Sequence, residues 1–339
     1  MASTVARPSS NGAKTLLGRV CPYCSGSKFS LLLDGVRDRL GYVEGQWKFW
    51  KCVECGSAII DPLPDIDNLG ALYPPVYTYS PALAKQSFAG RLQAAIEYNL
   101  FFRPQYVAQV NRVLRNTVGD GRGKRLLDLG CGRGLRLVEF RKRGCEVHGI
   151  DLQQQVVDYL NKDLKIPAVC GDVSELDRHF ELGSFDVVTA FHLVEHVPEP
   201  AALIADVKRY LKPGGWFVAA VPLIDSIQAK LFGRRWVGVS EAPRHLSIPS
   251  QAGLARVCRE LGFGRVFWRP DSLFNCAGIA SLSFIPSAAT TATAGRGIIR
   301  NTFVRMMSAG LTFSMLPEGA IENYAFSRMA AGIMFAQSL

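Results

Sequence analysis

Nine consecutive residues, Leu126-Leu127-Asp128-Leu129-Gly130-Cys131-Gly132-Arg133-Gly134, constrain this chain more than any other stretch. An apolar run containing one acid passes into three glycines at alternate positions, and a helical pattern begins at once. A strand that ends in a glycine-rich turn at a helix start lets a ligand approach the backbone closely. The surrounding pattern alternates in the same way. Strands are expected at 125–128, 146–150, 168–170, 185–191, 216–221 and 264–268, with a last one near 329–335. Helices are expected at 135–143, 153–163, 200–211 and 250–261. Such alternation specifies an α/β fold with a doubly wound parallel sheet covered on both faces, whose ligands sit at the carboxyl ends of the strands.

A chain of 339 residues, 48% hydrophobic, is long enough for two domains or one large one. Its formal charge of +10 favours an acidic partner such as nucleic acid, a phosphorylated substrate or an anionic membrane surface. The basic residues are scattered, so a solvated basic surface explains the charge equally well. No charged-then-apolar leader occupies residues 1–18, which predicts a cytoplasmic protein with free thiols. The longest uncharged stretch, 272–295, carries Asn275, Pro286 and many Ser, Ala and Thr residues, so no membrane-spanning helix is expected.

Nine cysteines are present, four of them in two tight pairs, Cys21-Pro22-Tyr23-Cys24 and Cys52-Val53-Glu54-Cys55. Two C-x2-C knuckles supply four thiolates for a tetrahedral zinc ion. The 27 residues between the pairs hold two short strands, at 28–33 and 46–51, in the arrangement of a zinc ribbon. Zinc there is structural, because so small a module can hardly hold together alone. Cys131, Cys145, Cys170, Cys258 and Cys276 are isolated and read as small core residues. The expected organisation is a flexible tail at 1–15, a zinc ribbon at 16–62, and a linker with a helical cap at 63–115. A catalytic-type domain at 116–270 plus 317–339 follows, interrupted by an apolar helical insertion at 271–316. The aromatic and proline-rich stretch 72–79 is either packed linker or a lid over substrate. The insertion is either a cap or dimer face, or a surface for a lipid-linked substrate at the membrane.

Two acids follow the glycine turn at strand ends. Asp151 lies seventeen residues after Gly134, at the spacing of an acid that holds ribose hydroxyls, and Asp172 follows the third strand. A pyrophosphate would be repelled by Asp128, whereas a cationic amino-acid ligand would be attracted. Residues 128–134 resemble motif I of the class I S-adenosylmethionine-dependent methyltransferases. The resemblance continues through Asp151, Gly171-Asp172, Phe185-Asp186-Val187-Val188, Leu193-Val194-Glu195-His196-Val197 and Leu211-Lys212-Pro213-Gly214-Gly215, about 95 residues in order. It implies a Rossmann-like methyltransferase sheet and S-adenosylmethionine as cofactor. It places Asp128, Gly130, Cys131, Gly132 and Gly134 against the amino-acid part, Asp151 at the ribose and Asp172 near the adenine. Leu152 and Val173 flank these acids, and Phe191 and His192 border the methyl group. With the cysteine pairs, Leu63-Pro64, Tyr73-Pro74 and Pro243-Arg244-His245-Leu246, the chain is similar to a bacterial subgroup carrying an N-terminal zinc ribbon. That subgroup is associated with sugar, polysaccharide and secondary-metabolite modification.

The resulting expectation is an enzyme that O-methylates a small molecule, a nucleotide sugar or lipid-linked glycan precursor, in the cytoplasm or at the membrane's inner face. Removing the hydroxyl proton needs a base, and His192, His196 and His245 are the candidates, with Glu195 as another option. Each also has a structural reading: His196 with Glu195 as a helix cap, His192 as pocket lining, His245 as a loop anchor. His148 and His179 read as structural. The alternatives are an RNA methyltransferase gripping RNA through the ribbon, and a non-enzymatic interaction protein. Phe191-His192-Leu193-Val194 stands where an Asn/Asp-Pro-Pro-aromatic motif would mark base-nitrogen methylation, which argues against nucleic acid. The intact acids and glycines argue against loss of the enzyme.

Overall fold

A computed structural model describes residues 18–73, 103–271 and 331–339. The expected tail at 1–15, most of the 72–79 stretch, the first cap helix and nearly all of the 271–316 insertion lie outside the described residues.

The small sheet forms first along the chain. In β2 (Trp47–Cys52) Trp47, Phe49 and Cys52 are buried while Lys48 and Lys51 are exposed, the two-residue period of a half-buried strand. It pairs antiparallel with the largely exposed edge strand β1 (Phe29–Val36). On its other side lies β3 (Ala58–Asp61), whose Ala58, Ile59 and Ile60 are all buried. A fourth strand completes the sheet, and it comes from far along the chain: β9 (Ser247–Ile248) pairs with β3.

The larger sheet has seven strands. After α1 (Arg103–Asn116) come β4 (Arg125–Leu129), α2 (Leu135–Arg141), β5 (Glu146–Asp151), α3 (Gln154–Lys162), β6 (Ala168–Cys170), β7 (Phe185–Phe191), α4 (Pro200–Tyr210) and β8 (Leu211–Pro222). Two short helices, α5 (Ile227–Phe232) and α6 (Val237–Ser240), precede β9, and α7 (Gln251–Glu260), β10 (Phe263–Pro270) and β11 (Ala331–Ser338) close the chain. The spatial order is β10-β11-β8-β7-β4-β5-β6. Strands β6, β5, β4, β7 and β8 are parallel, and the near-continuous apolar run of β7 shows that it is covered on both faces. The helices packed on the sheet offer apolar stripes: Val156, Val157 and Leu160 on α3, and Leu203, Ile204, Val207 and Tyr210 on α4.

Three features depart from the expected pattern. β11 runs antiparallel to both β8 and β10, so the sheet is mixed rather than wholly parallel. β8 begins five residues earlier than expected, because Leu211 pairs with Phe185 before a register shift. Gly215 permits that shift: a Cβ there would stand 2.9 Å from the Lys212 carbonyl oxygen. Strands β3 and β9 were not expected, being too short and too uniformly apolar to show a period.

The two sheets are tied together beneath β9. Tyr23 Oη and Ser247 Oγ are 2.8 Å apart, and Ser250 Oγ donates to the Cys55 carbonyl at 2.5 Å. The Arg244 guanidinium pairs with Asp38, both side chains being fully buried. Asp38 also accepts the backbone N–H groups of Leu40, Tyr42 and Val43, so its carboxylate is fully engaged. Among the described residues no helix is long and apolar enough to cross a membrane.

Candidate active site

The four paired cysteines meet in one cluster. Cys21 Sγ lies 3.5 Å from Cys55 Sγ, and Cys24 Sγ lies 3.5 Å from Cys52 Sγ. All four sulfur atoms fall within 4.8 Å of one another, and none forms a disulfide. A tetrahedral zinc ion with bonds of ~2.3 Å holds its sulfur ligands about 3.8 Å apart, so the donor set fits zinc.

At the carboxyl end of β4 the chain turns through Gly130, Gly132 and Gly134 with φ of 61°, 49° and 65°. Those left-handed values suit glycine, and a Cβ at Gly134 would also stand 2.3 Å from Leu160 Cδ2. The turn is fastened to the next strand. Cys131 N–H donates to the Ile150 carbonyl at 3.1 Å. Gly132 N–H donates to Asp151 Oδ2 at 2.9 Å, and Gln153 N–H donates to Oδ1 at 3.0 Å. Burial pushes the Asp151 carboxyl up, and these two amides oppose it. Each of its oxygens keeps a lone pair for a further donor.

Asp128 lies beneath the turn, almost wholly buried, and accepts a 2.6 Å bond from Thr189 Oγ1. Burial pushes its carboxyl up to about 6, against the pull of Arg136 and the Thr189 bond. Arg136 was not anticipated from the sequence, and no periodicity marks it. Its guanidinium carbon stands 4.2 Å over the Phe191 ring, and its Nε donates to Gln109 Oε1 at 2.9 Å. It thereby ties α1 to the strand end carrying Phe191. Thr189 did leave a trace, as the polar interruption in an apolar strand. Asp172 follows β6, next to β5, and its Oδ1 accepts from Ser174 N–H at 2.8 Å and Ser174 Oγ at 2.6 Å. Val173 opens the turn after it. Leu152 is 59% exposed beside the two acids, an apolar surface at the mouth of the site.

The three candidate histidines come together past the end of β7. His192 adopts φ 55°, and its backbone N–H donates to the Ala220 carbonyl at 2.8 Å. A non-glycine residue held there is strained, which fits a functional position. His192 Nδ1 lies 3.5 Å from Glu195 Oε1, and Glu195 is 0% exposed. Burial pushes Glu195 up, but His192, His196 and His245 reverse the effect and hold it below the usual carboxylate range. The His196 and His245 rings pack edge to face with centroids 4.6 Å apart. His196 Nδ1 lies 2.8 Å from Tyr73 Oη and 3.1 Å from the Arg244 carbonyl. Burial, with His245 adding to it, lowers His196 to about 4. His245 Nδ1 donates to the Gly238 carbonyl at 2.5 Å, and Leu246 N–H donates to the Glu195 carbonyl at 2.8 Å. His148 is elsewhere, with Nε2 3.1 Å from Glu146 Oε1.

Residues 98–266 match a family described as methyltransferase domain. The ubiquinone biosynthesis O-methyltransferase of Bordetella pertussis is 34% identical over 122 residues, 34% of this chain and 50% of that protein. That of Chromobacterium violaceum is 33% identical over 156 residues, 42% of this chain and 65% of that protein. The chain thus spans about half the length of the first of these relatives. Among solved structures, phosphoethanolamine N-methyltransferase 2 of Haemonchus contortus, with S-adenosyl-L-methionine, shares the fold at 18% identity and a TM-score of 0.51. The match covers 83% of this chain and 62% of that one. Through residues 98–266, then, the chain belongs to the class I S-adenosylmethionine-dependent methyltransferases, with a four-cysteine cluster placed ahead of that domain.

Proposed function

We propose that this protein transfers a methyl group from S-adenosylmethionine to a hydroxyl oxygen of a small molecule, a sugar or another glycan or secondary-metabolite precursor. The observation that carries the reading is the set of groups at neighbouring strand ends: the left-handed glycine turn, Asp128 and Asp151 beside it, and His192 backed by Glu195. The cofactor supplies a methyl group already activated on a sulfonium, so alignment and proton removal are left to the protein.

Asp128 offers a buried negative charge to the cofactor's amino-acid end, with Gly130, Cys131, Gly132 and Gly134 exposing backbone. Asp151, oriented by Gly132 and Gln153, accepts from a vicinal diol. Asp172 and Val173 border the base with Leu152. Phe191, held by Arg136, excludes water where the acceptor oxygen arrives. With Nδ1 turned toward Glu195, His192 presents Nε2 as the base for the acceptor's proton. His196 and His245 support Glu195 from behind. The four cysteines act as a structural zinc site, as their reduced state in the cytoplasm allows.

Oxygen as the methylated atom is supported by the names of the curated relatives, and a sugar acceptor by the resemblance noted for the cysteine pairs and the 243–246 segment. The test is to supply methyl-labelled S-adenosylmethionine with the full chain and a panel of nucleotide sugars and phenols. Label on a sugar hydroxyl is the expected result. Label on nitrogen, or on RNA alone, overturns the reading.

A further inference from the structure

Behind His192 lies a second grouping of ligand-type side chains. Glu195, His196 and His245 each offer one donor atom, and the three atoms lie within 4.8 Å of one another. Glu195 is fully buried, and among the described residues neither of its carboxylate oxygens has a hydrogen-bond donor. The nearest charged-type group, His192 Nδ1, lies 3.5 Å from Oε1, at ion-pair range. A buried carboxylate without donors is costly, and an orphan of this kind points to an ion or water that completes it.

The histidines are already set for such an ion. His245 Nδ1 faces the Gly238 carbonyl and His196 Nδ1 faces the Arg244 carbonyl. A carbonyl only accepts, so the His245 ring carries hydrogen on Nδ1 and keeps the lone pair on Nε2, and His196 shares that tautomer when Tyr73 Oη, 2.8 Å from its Nδ1, accepts from it. Imidazoles that bind metals are oriented in this way, through the ring nitrogen that does not ligate. Glu241 Oε2 stands 3.9 Å from His245 Nε2 and adds negative charge on the same side.

We propose that Glu195, His196 and His245 bind one divalent first-row transition cation, separately from the four cysteines. Two imidazoles and one carboxylate suit zinc, cobalt or iron better than magnesium or calcium. Bonds of ~2.1 Å bring ligand atoms to about 3.4 Å of one another in a tetrahedral site, so the cluster closes slightly around its ion. The site stands whether or not the methyl acceptor is a sugar.

The test uses the full chain with its cysteine-bound metal in place. Cobalt(II) is titrated in and followed by visible absorption, and bound metal is counted after dialysis. The expected result is one metal equivalent beyond that held by the cysteines, with ligand-field bands but no added thiolate-to-cobalt band. Glu195→Gln and His245→Gln should each weaken that equivalent at least tenfold while keeping the cysteine-bound one, which also reports that the variants fold. A single equivalent of purely thiolate character in the wild type overturns the proposal, and so does a second equivalent unchanged in both variants. Should a variant fail to fold, the wild-type spectrum alone decides between nitrogen/oxygen and sulfur coordination.

Discussion

The two halves of the candidate site are assembled on different principles. The proposed cofactor side is one continuous piece of chain, from Asp128 to Asp172, in which Asp128 and Asp151 stand at the ends of adjacent parallel strands, Asp172 follows a third, and the Gly132 amide joins the turn to Asp151. The proposed acceptor side gathers Tyr73, His192 to His196 and Glu241 to His245, three segments far apart in sequence. What holds these together is the small sheet. Its β3 pairs with β9 next to His245, and Asp38 in the loop between β1 and β2 binds Arg244 beside it. A binding surface made by consecutive βα units needs little from outside. One made by distant loops depends on whatever clamps them, and here the clamp is the four-cysteine module.

The largest test of that contrast is removal of the zinc proposed for the four cysteines. Structural zinc contributes about 10 kcal/mol or more in small modules. Chelation should therefore unfold β1 to β3, exposing the amides of Ile59 and Ile60 to hydrogen exchange, and abolish methyl transfer. S-adenosylmethionine should still bind. If affinity for the cofactor falls together with activity, the two halves are not separable.

Within the acceptor side, His192→Gln should lower kcat by about 10²–10⁴-fold, the usual contribution of a general base, and leave cofactor affinity unchanged. An equal loss in His148→Gln would show that the effect is not specific to the strand end. Breaking the clamp chemically is the next step. Arg244→Met leaves Asp38 buried without its partner and should cost about 3–5 kcal/mol in denaturant unfolding, whereas the double replacement with Asp38→Leu should recover part of the loss. On the cofactor side the expected effect is smaller and depends on pH. Asp128 ionises at about 6 without ligand, and only its ionised form attracts a cation. Affinity for S-adenosylmethionine should thus weaken about tenfold from pH 7 to pH 5 and stay flat above pH 7. Asp128→Asn should bind weakly with no such slope.

The same contrast explains what could be read from the sequence. Strands β5, β6 and β7 and the helices α3 and α4 are legible to within a residue or two, because short apolar runs bounded by turn residues alternate there with helical stripes. The glycine turn and its acids are local, so their meeting at strand ends follows from the order of elements. β9 has only two residues and no pattern, and with it went the fact that the small sheet is completed from the second half of the chain. The Tyr73–His196 and Asp38–Arg244 contacts are tertiary, across 123 and 206 residues, and no spacing encodes them. The three histidines and Glu195 could be nominated from the sequence, but that Glu195 lies buried at the centre of the group is tertiary. Arg136 is one basic residue among many until its ring contacts are seen.

The most direct measurement is a calorimetric titration of the full chain with S-adenosylmethionine, repeated with Asp151→Ala. Charged hydrogen bonds of the kind Asp151 would make contribute about 1.5–3 kcal/mol each. One binding site per chain, weakened at least tenfold by that substitution, is the predicted result. No binding, or binding indifferent to Asp151, would contradict the assignment of the glycine turn to this cofactor.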